Sequence, residues 1–135
     1  MKIRKAIGWG SAIVLSMTLF GGAAIARTAD MYDAPRVLSV SANPLDARQM
    51  RDRIVAGGQA LGWAVIREEQ GLVELRYDKQ GKHQVTVAVR YDPSGYKIDY
   101  VDSFNLNYAE QSGVRKIHPN YNRWILNLIK YIGPV

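Results

Sequence analysis

Apolar residues recur at every second position between Trp63 and Val101, and at intervals of three and four on either side of that stretch. Three turn signals divide the alternating region: Gln70-Gly71, Lys79-Gln80-Gly81 and Asp92-Pro93-Ser94-Gly95. They predict four antiparallel strands joined by short hairpins. A two-residue loop at the first turn pairs Ile66 with Leu75, Ala64 with Tyr77 and Arg67 with Glu74. A three-residue loop at the second pairs Leu75 with Val85 and Val73 with Val87. The third turn pairs Val89 with Ile98, Tyr91 with Tyr96 and Val87 with Tyr100. One face of the predicted sheet then collects Ala64, Ile66, Val73, Leu75, Tyr77, Val85, Val87, Val89, Tyr91, Tyr96, Ile98 and Tyr100. The opposite face carries Arg67, Glu74, Arg76, Gln84, Thr86, Arg90, Lys97 and Asp99, with Arg90 facing Lys97.

Before the strands, Asn43-Pro44 offers an N-cap and a proline for a first helical turn. Met50, Ile54, Gly57 and Leu61 follow as one stripe at spacings of four, three and four. Gly57-Gly58 either weakens this helix or lets its backbone approach the sheet closely. After the strands, residues 102 to 116 are polar and irregular in pattern. His118-Pro119 then opens a second helix with a wide stripe of Tyr121, Trp124, Ile125, Leu128, Ile129 and Ile132, ended by Gly133-Pro134. Two amphipathic helices and a sheet with one apolar face predict an α+β two-layer sandwich in the order α-β-β-β-β-α. Residues 27–43 lack helical period and are expected to form a leader or linker, with Val37 to Val40 able to add a short edge strand. Residues 44–135 are then a single domain.

The first 26 residues have a different character. Lys2, Arg4 and Lys5 precede an apolar run from Ala6 to Phe20, and Ala24-Ile25-Ala26 forms an A-x-A cleavage pattern. This order predicts a signal peptide cut after Ala26, which places the mature chain in the periplasm with no membrane-spanning segment. Losing three cations and no acids lowers the net charge from +6 to +3. Half of the basic excess therefore belongs to the export segment, and the mature part carries no cationic block of the kind a nucleic acid requires. With no cysteine anywhere in the chain, the domain is held by packing alone, without disulfides or thiol chemistry.

Candidate chemistry is sparse. Asp102, Ser103 and His118 contain the residue types of a hydrolytic triad, yet no Gly-x-Ser-x-Gly elbow exposes Ser103. Adjacent Glu68 and Glu69 point to opposite faces of a strand and cannot flank one glycosidic bond. No glycine-rich loop precedes a helix to cradle phosphate. A metal site would need both histidines, His83 and His118, together with carboxylates, so neither a metal nor a cofactor is expected. The densest polar group is split between Asp102-Ser103-x-Asn105-x-Asn107-Tyr108 and Ile117-His118-x-x-Tyr121-Asn122. Its amides suit the bracing of an irregular connection. The same residues, Ser103, Asn105, Tyr108, His118, Tyr121 and Asn122, are the candidate lip of a ligand groove.

Those two motifs carry a resemblance, together with Ala56-Gly57, Gly62-Trp63, Gly71, His83, the Val85/Val87/Val89/Tyr91 ladder and Tyr96-x-Ile98-x-Tyr100. From Asp46 to Ile132 the chain resembles a group of small proteobacterial envelope proteins, many of them lipoproteins, to which no activity can be attached. It departs from them by lacking the lipid-accepting cysteine, which implies a free periplasmic form. The expected function is a non-enzymatic domain that binds or scaffolds an envelope component, whether protein, lipid or polymer. The competing expectation is a small hydrolase that uses Ser103 and His118.

Overall fold

A computed structural model describes residues 27–135; the predicted signal peptide lies outside the described residues. The chain forms β1 (Ala29–Asp30), β2 (Val37–Leu38), α1 (Ala47–Ala60), β3 (Ala64–Glu69), β4 (Leu72–Lys79) and β5 (His83–Asp92). These are followed by β6 (Gly95–Phe104), β7 (Ala109–Gln111), β8 (Val114–Ile117) and α2 (Pro119–Ile132). This is an α+β protein with two helices and two antiparallel sheets, ordered β2-β6-β5-β4-β3 and β1-β8-β7. The expected four-stranded layout was therefore incomplete in two places. β2 joins the large sheet beside β6, as the edge strand that Val37 to Val40 were able to add, and the polar stretch after β6 folds into a hairpin of its own. No helix among the described residues is long and apolar enough to cross a membrane.

The core forms where both helices cover one face of the large sheet. Met50 and Ile54 of α1 and Leu128 and Ile132 of α2 are buried with Val73, Leu75, Val85, Val87, Val89, Tyr96 and Ile98. α1 starts later than the Asn43-Pro44 signal predicts. Asp46 is the N-cap: its carboxylate accepts from the Gln49 N–H at 2.8 Å, while the Gln49 side chain accepts from the Asp46 N–H at 3.0 Å. This reciprocal pair satisfies two donors of the first turn, which Asn43 leaves unmet. Gly57-Gly58 divides its role between two neighbours. A Cβ on Gly57 would meet Ile132 backbone in α2, whereas one on Gly58 would meet the Leu75 side chain in the sheet.

Registers tested the turn signals one by one. The third turn pairs Val89 with Ile98, Tyr91 with Tyr96 and Val87 with Tyr100, as expected. At the second, the three-residue loop is Gln80 to Lys82, so Leu75 faces Val87 and Tyr77 faces Val85. That is two residues from the expected pairing, and a shift of two leaves every side chain on its expected face. At the first, Arg67 faces Glu74, but a β-bulge at Ile66 puts Val65 opposite Leu75. Parity reverses beyond the bulge, so Val65 packs against the core while Ala64 and Ile66 are exposed. Thr86, expected on the solvated face, is 2% exposed and accepts a hydrogen bond from the Arg76 guanidinium at 3.2 Å.

Residues 27–43 do not behave as a tether. Ala29 and Asp30 pair with Ile117 and Lys116. The Asn122 amide donates to the Asp30 carbonyl at 2.9 Å and accepts from the Tyr32 N–H at 2.8 Å. Ala34 is buried, β2 pairs with Gly95 and Tyr96, and the Val40 N–H donates to the Val135 carbonyl at 2.9 Å. Gly95 (φ 152°) permits this docking, because a Cβ there would lie 2.1 Å from the Val37 carbonyl oxygen. The segment is short of side-chain pattern because backbone groups hold it.

Candidate functional site

The six candidate residues separate into two groups. Ser103, Asn105 and Tyr108 line an open cleft of about 710 Å³ between the end of β6, the loop that follows it and Arg115 of β8. His118, Tyr121 and Asn122 do not line it. Tyr121 is 2% exposed and stands edge-on to Tyr100 with ring centroids 5.8 Å apart, so it is part of the cleft's foundation. Asn122 is occupied by the backbone of residues 30–32. His118 caps α2, its Nδ1 accepting from the Asn120 N–H at 3.1 Å.

A second bulge, where β6 skips Val101 in its pairing with β5, sets the cleft's floor. It turns Ser103 to the side of Val85 and Tyr100, and the Tyr100 and Ser103 hydroxyls lie 2.8 Å apart. Tyr108 stacks on Tyr100 at 4.6 Å between centroids and an interplanar angle of 16°. Asn105 and Asn107 hold left-handed backbone (φ 58° and 54°), which reverses the chain after β6. Asn105 also donates to the Lys82 carbonyl at 2.8 Å and offers its own carbonyl oxygen 2.8 Å from His83 Nδ1. Bracing and lining are thus combined in one amide residue.

Arg115 was missed by the sequence reading. β7 and β8 form a hairpin whose two turn residues, Ser112 and Gly113, both have positive φ (52° and 78°), the twist that favours a tight hairpin. Alternation in β8 then sends Arg115 to the same side as fully buried Ile117. The available signal was Ser112-Gly113 flanked by short polar strands, which a search for apolar alternation passes over. Arg115 is half-buried and forms no ion pair among the described residues, including with Glu110 directly opposite on β7.

The cleft brings together hydroxyls, stacked rings, amides and a guanidinium. Burial raises the Tyr100 phenol, with the Ser103 hydroxyl and the Arg115 charge pulling the other way. At neutral pH the Tyr100–Ser103 pair is therefore two neutral hydroxyls bonded to each other. Ser103 bonds Tyr100 and His118 bonds local backbone, so the structure does not assemble the hydrolytic pairing of Ser103 with His118. The His83 and His118 rings come within 6.2 Å, yet no group of three or more potential metal ligands occurs among the described residues. On the open sheet face the expected like-charge pair of Arg90 and Lys97 is present, but Lys97 is held by Asp33 at 2.9 Å and Asp99 at 3.2 Å. Arg67 is likewise engaged by Glu69 and Glu74. Arg76 and Arg90, on the same face, hold no acid among the described residues.

His118 carries a pH dependence. Partial burial, followed by the His83, Arg27 and Arg123 charges, holds its pKa below the ordinary imidazole value. The unfolded chain then binds the proton more readily, so stability is full above about pH 6.5 and declines as pH falls through the imidazole range. Loss of the Nδ1 acceptor from the helix cap acts in the same direction. His118→Asn keeps a capping side chain without the titration. Chemical denaturation at pH 7.5 and 5.5 is expected to show a smaller pH-dependent loss in the variant than in the parent; an equal loss would remove His118 as its source.

Searches against known families, curated proteins and solved structures find no match to this chain.

Proposed function

We propose that the chain is exported, processed after Ala26, and acts in the periplasm as a non-enzymatic domain that binds an envelope component in the cleft beside Arg115. The carrying observation is a half-buried guanidinium without an ion-pair partner among the described residues, set next to a stacked tyrosine pair and exposed amides. A buried-side cation left unpaired is costly unless a ligand or water supplies acceptors. Stacked rings and amides suit the flat faces and hydroxyls of a sugar, and the guanidinium suits a carboxylate. A hydroxyl-rich glycan bearing carboxylates fits all three. The rim position of Asp102 disfavours densely charged polyanions.

Amide NMR titration with solubilised cell-wall glycan fragments tests this reading. Shifts are expected at residues 100–108 and 115. Arg115→Gln removes a charge-assisted hydrogen bond and is expected to weaken binding about tenfold or more, while Arg90→Ala leaves it unchanged. Shifts that survive Arg115→Gln and vanish with Arg90→Ala would move the ligand to the open sheet face and overturn the assignment. Intact mass of the periplasmic protein tests the export step separately: a species beginning at Met1 would exclude cleavage.

A further inference from the structure

A second concave site is lined by residues of α2, and it shares no residue with the proposed cleft. Trp63 follows α1, Tyr77 lies near the end of β4, and Trp124 sits in the second turn of α2. Their rings form a continuous row, with centroids 5.4 Å apart between Trp63 and Tyr77 and 5.0 Å between Tyr77 and Trp124. The row floors a pocket of about 230 Å³ whose rim includes Lys79, Arg123 and Asn127. Trp63 and Trp124 are 3% and 9% exposed, so two sides of the floor are locked in the core and cannot turn aside.

The rim adds charge to this floor. Lys79 and Arg123 come from different elements, both are exposed, and neither forms an ion pair among the described residues. No carboxylate lines the pocket. Arg36, Arg51, Arg67, Lys97 and Lys116 each hold an acid, whereas Lys79 and Arg123, like Arg90 and Arg115, hold none among the described residues. Two uncompensated charges over an aromatic floor define a ligand with two parts, a ring with an apolar face and an anionic head. The volume admits one ring.

From this geometry we infer that the pocket is a binding site for a small ring-bearing anion, either a phosphate or a carboxylate. The ring lies against Tyr77 and the edges of the two tryptophans. The anionic head lies between Lys79 and Arg123, and the Asn127 amide is placed to hydrogen-bond a ring substituent. This site stands on its own observations, apart from those that support the cleft beside Arg115.

The pocket contains its own reporter. The chain has three tryptophans, Trp9, Trp63 and Trp124, so in full-length protein carrying Trp9→Phe the tryptophan emission comes only from the pocket floor. Titration of that protein with phenyl phosphate and with glucuronate is expected to change the emission saturably for at least one of them, which also distinguishes an aromatic phosphate from an acidic sugar as the preferred class. Glucose, with a ring but no charge, and inorganic phosphate, with a charge but no ring, are each expected to bind at least about tenfold more weakly. Lys79→Gln with Arg123→Gln, both at exposed positions and checked for folding by circular dichroism, is expected to weaken binding about tenfold or more. Arg115→Gln is expected to leave it unaltered. No saturable change with either ring-bearing anion, equal affinity for inorganic phosphate, or full affinity in the double variant would each overturn the site.

Discussion

Replacing Trp124 with alanine is expected to destabilise the domain by about 3–5 kcal/mol, a large part of the roughly 5–15 kcal/mol available to a protein of this kind. The side chain is nearly buried, and its loss vacates the contact between α2 and Tyr77 as well as the hydrophobic area it covers. The edge-on geometry, 69° at 5.0 Å, adds about 0.5–1.5 kcal/mol beyond burial for an aromatic pair. In a chain without cysteine no covalent link limits the damage. Urea denaturation followed by far-ultraviolet circular dichroism measures the loss without relying on the removed fluorophore. A change below about 1 kcal/mol would show that the domain does not depend on this ring. A double-mutant cycle with Tyr77→Leu would isolate the pair term, expected to be positive and smaller than the burial term.

Gly57→Ala and Gly58→Ala are expected to behave differently although they are adjacent in one helix. Alanine raises helix propensity at both positions by up to about 1 kcal/mol. At Gly57 the new methyl would stand 2.7 Å from the Ile132 nitrogen and 2.8 Å from its Cα. Both are backbone atoms, so no rotamer change relieves the contact and α1 and α2 must part. Overpacking of this kind costs about 1–3 kcal/mol, which outweighs the propensity gain. At Gly58 the nearest atom is a Leu75 methyl at 3.1 Å, the end of a side chain that can shift. Gly58→Ala is therefore expected to remain within about 1 kcal/mol of the parent, and Gly57→Ala to be clearly less stable than Gly58→Ala. If Gly57→Ala melts with the parent, the helices are not in backbone contact at this crossing.

The legible and illegible parts of this fold differ in a physical way. Asp92-Pro93-Ser94-Gly95 determined the β5–β6 register because its turn chemistry is local and its flanking residues alternate cleanly. The second hairpin was displaced by two residues, yet its faces were correct, since parity survives an even shift. The bulge at Ile66 gave no such protection: one extra residue exchanges the faces of everything beyond it, and apolar Ile66 is as good a core residue in the sequence as Val65. For the site, Ser103, Asn105 and Tyr108 were recognisable as a polar cluster. Tyr121 and Asn122, from the second motif, turned inward to the core and to the N-terminal segment.

What the sequence determined by itself is what rests on periodicity and local turn chemistry: the two helices, four of the strands and the apolar stripe of α2. What only the tertiary structure decided rests on contacts between residues far apart in the chain. The docking of residues 29–40 depends on backbone hydrogen bonds to β6, β8, Asn122 and Val135, which leave no pattern in side chains. Arg115 acquires meaning when β8 closes a cleft with β6. Trp63, Tyr77 and Trp124, spaced 14 and 47 residues apart, become one aromatic row because α1, β4 and α2 converge there. Periodicity reports which side of an element is apolar; it carries no information about which other element will meet that side.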